Sequence, residues 1–158
     1  MSARTAPLPA LVLGGAGLLP FVALALFAAF DSGAHHTLLL TALAEYAAII
    51  LSFVGALQWG YAVRRDARGV QAWLQYGWSV TPALIAWLSL QLPSRAGLQM
   101  QAAALCACFV VDNAMARVDR IPEWFNSLRG VLTVVAALSL LATSLWLPRD
   151  MRTGGILW

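Results

Sequence analysis

Five long apolar stretches, separated by short polar linkers, dominate the pattern of hydrophobic positions along the chain. A helix needs about 20 mainly apolar residues to cross a bilayer. Each stretch therefore predicts a membrane-spanning helix, and the short linkers predict that successive helices are antiparallel neighbours. We predict an all-α fold in which residues 1–158 form a single transmembrane domain, a polytopic bundle of five helices. The predicted spans cover residues 8–30, 38–62, 71–92, 97–117 and 128–147.

The composition supports a membrane protein and excludes several soluble classes. Hydrophobic residues make up 61% of the chain, charged residues make up 11%, and the mean hydropathy is +0.75. Soluble domains contain about 45–50% apolar and about 25% charged residues. The composition therefore excludes a soluble globular domain, a disordered chain and a disulfide-rich secreted scaffold.

The basic residues, all of them arginines, indicate an orientation. Most lie on the side of the membrane that holds the predicted N-terminus, which we call side A; the opposite side is side B. The positive-inside rule places side A in the cytoplasm, or in the matrix of an organelle, and the C-terminus outside. We expect a multi-pass protein of the bacterial cytoplasmic (inner) membrane, without a nucleic-acid partner. Side A holds Arg4, Arg64, Arg65, Arg68, Arg117, Arg120 and Arg129; side B holds Arg95, Arg149 and Arg152.

Several cofactor chemistries are excluded by residue type and spacing. The chain has no lysine, so it cannot form a Schiff base through a lysine amine. Its histidines, His35 and His36, are adjacent and cannot supply both axial ligands of one haem. Cys106 and Cys108 would point to different faces of a helix, so we expect no disulfide between them. We predict no catalytic residue and no metal site, and the sequence names no cofactor.

Glu45 is one of two acidic residues that fall within the predicted spans, where an ionisable group costs about 2.5–3.5 kcal/mol or more. It lies roughly 10 Å from the side B boundary at 1.5 Å per residue. Ser52 and Trp59 follow at steps of seven residues and form a stripe with it, and Tyr46 is adjacent. The stripe predicts either a protonatable or weakly metal-binding site, or a carboxyl group that bonds to a neighbouring helix or reaches water. The loop before this span would add Asp31, His35 and His36 to such a site.

Asp112 is the second acidic residue within a span, and it lies near side A. One interpretation places it in a ligand site inside the bundle. The other pairs it with an arginine at the helix ends, for which Arg64, Arg117 and Arg129 are candidates. Because Asp112 and Glu45 fall in opposite leaflets, we do not expect them to form an acid–base pair.

Glycine and proline predict close helix packing in two spans. Gly55 and Gly60 would let another helix approach the second span closely. Pro82 interrupts the third span, where it removes an internal hydrogen bond and predicts a kink. A kinked pair of helices could enclose a small-molecule pocket, and simple helix packing is the alternative.

The linker RVDRIPEWFNSLRG before the last span has the spacing of a short helix on the side A surface. Pro122 suits its first turn. Such a helix would lie in the membrane interface and carry Trp124, Phe125 and Arg129. These residues predict either a docking surface for a partner or an anchor on anionic lipid.

Four segments of the chain resemble a family of small inner-membrane proteins of unknown function, whose animal members are called transmembrane protein 69. They are GAGLLPF, EYAAIILSFVGALQWG, SVTPALIAWLSL and IPEWFNSLRGVLT. The resemblance runs from about Leu8 to Leu147, and it implies five helices in a bacterial or mitochondrial inner membrane. It implies no activity. The matching positions include Tyr46, Trp59, Gly60, Asp112, Pro122, Trp124, Leu128 and Arg129.

Two functions fit these features, and we do not expect an enzyme because no nucleophile–base pair is visible. We predict a non-catalytic accessory, assembly or structural component of a membrane complex. The alternative is a binder or transporter of a small apolar or amphipathic ligand, namely a quinone, a lipid or a tetrapyrrole. The expected partners are the lipid bilayer and either another inner-membrane protein complex or a second copy of the chain. The ligand would contact Glu45, Tyr46, Ser52, Trp59 and Asp112, with Pro82 shaping the site.

Overall fold

The computed structural model describes residues 5–31, 33, 35–119 and 122–147, and for residues 116–119 it describes the backbone alone. Within these ranges the chain forms six α-helices and no β-strand. The predicted all-α fold is therefore confirmed. The helices are α1 (Leu8–Ala16), α2 (Leu19–Phe30), α3 (His36–Arg64), α4 (Gly69–Ser89), α5 (Ser94–Asp119) and α6 (Glu123–Trp146).

Four helical stretches of the described residues are long and apolar enough to cross a membrane. They are Leu8–Phe30, which combines α1 and α2, His36–Arg64, Ser94–Met115 and Glu123–Trp146. The predicted third span corresponds to α4, which has 21 residues but is not among the four. The chain is thus a membrane-type helical protein, and a fifth crossing by α4 stays a prediction.

The first predicted span is interrupted, because α1 ends at Ala16 and α2 begins at Leu19. Pro20 has no backbone N–H to donate to the Ala16 carbonyl, so one helical hydrogen bond is missing at this point. The chain closes this gap with a tight turn, in which Leu18 N–H donates to the Gly15 carbonyl at 3.0 Å. No residue of α1 is buried, so this helix lies at the edge of the bundle.

The prediction of a separate interfacial helix before the last span was wrong. Pro122 is the N-cap residue of α6, and the helix runs without interruption from Glu123 to Trp146. The segment WFNSL therefore forms the first turns of α6 itself. After Pro122 the linker contains no proline, and its one glycine is Gly130. A Cβ atom at Gly130 would lie 3.2 Å from the Phe109 ring. Gly130 therefore serves helix packing within a continuous helix.

The interface between α3 and α4 depends on Gly55, as predicted. A Cβ atom there would lie 2.7 Å from the Ser79 carbonyl oxygen and 3.0 Å from Cγ of Pro82. The two helices therefore touch through their backbones at this level. Gly60 does not have the predicted role within the chain, because a Cβ atom there would meet nothing within 4 Å.

Hydrogen bonds between α3 and α5 show the relative direction of these two helices. Gln101 Nε2 donates to the Ala44 carbonyl at 2.9 Å, and Gln58 Nε2 donates to Asp112 Oδ1 at 2.6 Å. Because both residue numbers rise together, α3 and α5 run parallel. The core lies around α3, which packs against α2, α4 and α5, and α6 pairs with α5 in the antiparallel sense.

Candidate ligand-binding site

A buried polar cluster joins α3, α5 and α6 in the side A half of the bundle. Asp112 is 8% exposed, Gln58 is 1% exposed and Arg129 is 9% exposed. Gln58 Nε2 donates to one carboxylate oxygen of Asp112 at 2.6 Å, and Arg129 Nη2 donates to the other. Arg129 is one of the three arginines proposed as partners of Asp112, and this pairing is observed. The side chain of Arg117 lies outside the described residues.

The cluster is neutral but incompletely bonded. A buried carboxylate and guanidinium cost several kcal/mol each to desolvate, so their pairing and the bond from Gln58 are what make this burial tolerable. Two polar atoms in the cluster, Nε of Arg129 and Oε1 of Gln58, are buried without a hydrogen-bond partner among the described residues. Buried polar groups are normally bonded, so these two atoms mark unused capacity for a water molecule or a ligand.

A cavity of about 340 Å³ lies next to this cluster, between α1, α2, α3 and α6. Its wall is almost entirely apolar, and its polar side chains are those of Arg129 and Thr133. Leu13 and Phe53 line it and are 73% and 66% exposed, so it opens on the outer surface of the bundle. The other lining residues include Ala10, Gly14, Gly17, Leu18, Phe21, Ile50, Val54, Leu57, Leu105, Trp124, Phe125, Leu128, Leu132 and Ala136.

A second cavity of similar volume, about 350 Å³, lies between α2 and α6 towards side B. Its hydroxyl groups are already bonded within α6: Ser139 Oγ donates to the Val135 carbonyl and Thr143 Oγ1 to the Ser139 carbonyl, both at 2.9 Å. His36 Nδ1 lies 2.6 Å from the Asp31 carbonyl oxygen. This cavity therefore lacks the unbonded buried donor that distinguishes the first one.

The structure separates the residues that the sequence grouped into one ligand site. Glu45 is exposed on the outer face of α3, far along that helix from Gln58 and Asp112. Ser52 Oγ donates to the Ala48 carbonyl of its own helix at 2.8 Å. The Trp59 ring packs edge-on against Tyr76 of α4, with centroids 4.8 Å apart. Pro82 packs on Gly55 and does not line the cavity.

Tyr46 supports the cavity wall from behind. Its hydroxyl donates to the Gly17 carbonyl at 2.9 Å, and its ring contacts the Phe21 ring edge-on at 5.1 Å between centroids. Gly17 and Phe21 both line the cavity. Tyr46 therefore holds the break between α1 and α2 in place.

The residues predicted for docking, Trp124, Phe125 and Arg129, all line the cavity. Their position follows from the continuous α6 helix, which turns these side chains towards α1 and α3. Trp124 and Phe125 are half-buried and pack edge-on against each other at 5.8 Å.

Sequence reasoning missed Gln58 and Thr133 as site residues. Both are uncharged, so a search for ionisable residues within spans passes over them. Gln58 was detectable as a polar side chain on the face of the second span opposite Glu45, which is the face that the bundle buries.

The loop before α3 does not assemble a metal site with Glu45. His35 Nδ1 lies 4.0 Å from Asp31 Oδ2, and Gly33 N–H donates to Asp31 Oδ1 at 2.7 Å. In the described part of the chain, no three His, Cys, Asp or Glu residues are placed to hold a metal ion together.

Comparison with known proteins identifies the family. Residues 6–145 match the family described as "Protein of unknown function (DUF3429)". The chain is 34% identical over 140 residues to transmembrane protein 69 of Xenopus tropicalis and 28% identical over 137 residues to transmembrane protein 69 of Mus musculus, covering 89% and 87% of this chain. It spans about half the length of these relatives, 55% and 56%. No solved structure matches the chain. The resemblance seen in the sequence is confirmed, and the chain belongs to this family of membrane proteins of unknown function.

Proposed function

We propose that this protein binds a small amphipathic molecule from the bilayer in the cavity between α1, α2, α3 and α6. The observation that carries the proposal is the position of Arg129. This buried residue lines an apolar cavity that opens on the outer surface of the bundle, and its Nε donor has no hydrogen-bond partner among the described residues.

The shape and lining of the cavity suit an apolar chain or ring. Its volume falls at the lower end of the range for small-molecule sites, about 300–1,000 Å³. The exposed rim formed by Leu13 and Phe53 would let a molecule enter sideways from the hydrocarbon region. The apolar end of the ligand would occupy the space between Phe21, Ile50 and Leu132.

The chemistry of the polar end follows from the charges beside it. Arg129 has only donors to offer, so the ligand must present an acceptor oxygen. Asp112 already neutralises the guanidinium, so a carbonyl or ester oxygen is a better match than a multiply charged anion. Among the ligands predicted from the sequence, quinones and lipids therefore fit best.

We also propose that the chain crosses the membrane five times, with side A in the cytoplasm. The parallel alignment of α3 and α5 supports the fifth crossing. The chain leaves α3 at one face of the bundle and must enter α5 at the opposite face, and α4 is the helix that connects them. Arg64 ends α3, Arg65 and Arg68 lie in the side A linker after it, and all three support the orientation. Arg129 is buried in α6 and no longer counts as a linker charge.

Two glycine substitutions in α1 test ligand binding directly. Gly14 lines the cavity, and a Cβ atom there would lie 3.4 Å from Cδ1 of Leu132. A Cβ atom at the neighbouring Gly15 would meet nothing within 4 Å. We expect Gly14→Leu to fill the cavity, whereas Gly15→Leu makes the same change in helix propensity and leaves the cavity open.

The measurement is mass spectrometry of organic extracts from each protein, purified from membranes in mild detergent. We expect the wild type and Gly15→Leu to carry the same quinone or lipid near one molecule per chain, and Gly14→Leu to lose at least about tenfold, which corresponds to 1.4 kcal/mol of binding free energy. Equal amounts in the two variants, or no retained molecule in the wild type, would contradict the proposal.

An accessory role in a membrane complex is the second candidate, supported by the half-buried rings of Trp124 and Phe125 near the side A end of α6. Part of each ring is free to contact a partner. Co-purification of a different membrane protein with the wild type, lost in Trp124→Ala, would favour this role.

A further inference from the structure

The outer face of α3 has a regular pattern that the described part of the chain leaves exposed or half-buried, with one ring contact, from Trp59 to Tyr76 of α4. Residues spaced alternately four and three apart follow this face along the whole helix, which is the spacing of a two-helix heptad seam. All of them are exposed or half-buried. We call this set the α3 seam; it consists of Leu38, Ala42, Glu45, Ile49, Ser52, Ala56, Trp59 and Val63.

Glu45 makes the α3 seam unlike a surface that merely faces lipid. Its carboxyl group is exposed and makes no hydrogen bond or ion pair with any described residue. The 29 residues of α3 extend about 43 Å at 1.5 Å per residue, against about 30 Å of hydrocarbon. Centring the helix in the bilayer places Glu45 about 7 Å inside the hydrocarbon region. Lipid chains cannot satisfy a carboxyl group there, whereas a protein partner can.

The middle of the seam permits close approach of another helix. Ala56 lies on the seam and Gly60 flanks it, and both are exposed. A Cβ atom at Gly60 would meet nothing within 4 Å. A surface groove of about 370 Å³ runs beside them and is lined by Phe53, Ala56 and Gly60 among others. Small residues at such a position let two membrane helices pack through their backbones.

We propose that the α3 seam is where two copies of this chain meet, with their α3 helices parallel and in register. Every copy enters the membrane with the same orientation, so a two-fold axis along the membrane normal brings identical seams together. Each seam residue then faces its own counterpart, and Glu45 of one copy lies level with Glu45 of the other. The two carboxyl groups lie where they can hydrogen-bond to each other, so a second copy supplies the polar complement at the required depth.

Cysteine cross-linking in native membranes tests this arrangement, in a background carrying Cys106→Ser and Cys108→Ala. Ala56→Cys lies on the seam. Val131→Cys is the matched control, because Val131 is exposed on α6 and lies within a turn of the level of Ala56, as the Gln58–Asp112–Arg129 cluster shows. We expect oxidation to give a disulfide-linked dimer with Ala56→Cys about tenfold more than with Val131→Cys.

A second measurement tests the role of Glu45 without depending on cysteine. We expect Glu45→Ala to lower the dimer association constant in detergent about five- to thirtyfold, by native mass spectrometry or energy transfer between labelled copies. Glu45→Gln should retain most of the dimer, because an amide both donates and accepts. Glu123→Ala, which removes an exposed acid at the start of α6, serves as the control. Glu45 lies outside the core, so the monomer should fold in every case.

Three results would overturn the proposal. They are equal cross-linking of Ala56→Cys and Val131→Cys, a cross-link from Ala56→Cys to a different protein, and a dimer that Glu45→Ala leaves unchanged.

Discussion

The two acidic residues within the predicted spans have opposite surroundings. Asp112 faces the centre of the bundle, where Gln58 and Arg129 occupy both of its carboxylate oxygens. Glu45 faces outwards from α3 and has no partner among the described residues. The same class of side chain is bonded within the chain in one case and has no partner among the described residues in the other.

Asp112 stabilises the packing of the helices, whereas Glu45 is exposed on the surface of the bundle. Asp112 ties three helices together and places Arg129 at the cavity wall. Removing it should damage the fold and, through the fold, ligand binding. Glu45 contributes nothing to the packing of its own chain, so removing it should alter association alone. Substitutions on the inner and outer faces of α3 can therefore test the comparison position by position.

The largest effect is expected from Asp112→Ala. This change leaves the Arg129 guanidinium buried without its counter-charge, and breaking a buried pair in this way costs about 3–5 kcal/mol. Thermal unfolding in detergent, followed by circular dichroism, should show a large drop in midpoint. Glu123→Ala is the control, because Glu123 is an exposed acid at the start of α6 with no side-chain hydrogen bond among the described residues, and its loss should change little.

The double variant Asp112→Leu with Arg129→Met sharpens this test. It removes both charges, so no ion is left unpaired, and it should be clearly more stable than Asp112→Ala. Its cavity should nevertheless lose the proposed ligand, since the guanidinium donors of Arg129 are gone and only the hydroxyl of Thr133 remains. A double variant as unstable as Asp112→Ala would show that the pair itself, rather than its imbalance, supports the fold.

Gln58→Leu should have the next largest effect, on the inner face of α3. It removes a hydrogen bond to the charged carboxylate of Asp112, which is worth about 1.5–3 kcal/mol. Ser52→Ala, on the outer face, removes a hydroxyl that bonds only to its own helix, and its unfolding midpoint should stay close to that of the wild type. Similar unfolding midpoints for the two variants would mean that the hydrogen bond from Gln58 on the inner face adds no measurable stability.

Gly55→Ala and Gly60→Ala compare the two faces with the same substitution. At Gly55 the added methyl group meets the Ser79 backbone carbonyl, which cannot move aside without shifting α4, so we expect a loss of about 1–3 kcal/mol. At Gly60 it enters open space and should gain about 0.5–1 kcal/mol from helix propensity. Chemical denaturation of each variant measures the change in the free energy of unfolding, which should fall for Gly55→Ala and rise for Gly60→Ala. A Gly55→Ala variant as stable as the wild type would contradict the close contact of α3 and α4.

The sequence predicted much of the fold because its hydrophobic spans are long and are separated by polar linkers. The ends of α3 and α4 fall within a few residues of the predicted spans. The break at Pro20 and the continuous start of α6 were missed. Both depend on how individual backbone hydrogen bonds are satisfied, which hydropathy does not report.

The site was predicted only in part. Asp112 and Arg129 were found because charged residues stand out in or beside an apolar span. Gln58 was missed because a search for charged residues passes over an uncharged amide. Glu45, Ser52 and Trp59 do share the outer face of α3, but the grouping of Glu45 with Tyr46 failed for a geometric reason. Neighbours along one helix turn to different sides, and only the packing of α2 and α4 shows which side each residue takes.

Tyr46 lies between the inner and outer faces of α3, and we expect its substitution to have the smallest effect on stability. Tyr46→Phe removes the hydroxyl that donates to the Gly17 carbonyl and keeps the ring contact with Phe21, so global stability should fall by only about 0.5–1.5 kcal/mol. The local effect should be larger, because α1 buries no residue of its own and depends on the turn at Gly17 for its position. Amide hydrogen exchange in α1 should therefore quicken, while exchange in α5 stays unchanged. Tyr76→Phe is the control, since the Tyr76 hydroxyl has no hydrogen-bond partner among the described residues. If α1 exchanges equally fast in both variants, the hydroxyl does not hold the cavity wall, and the wall must rest on apolar contact alone.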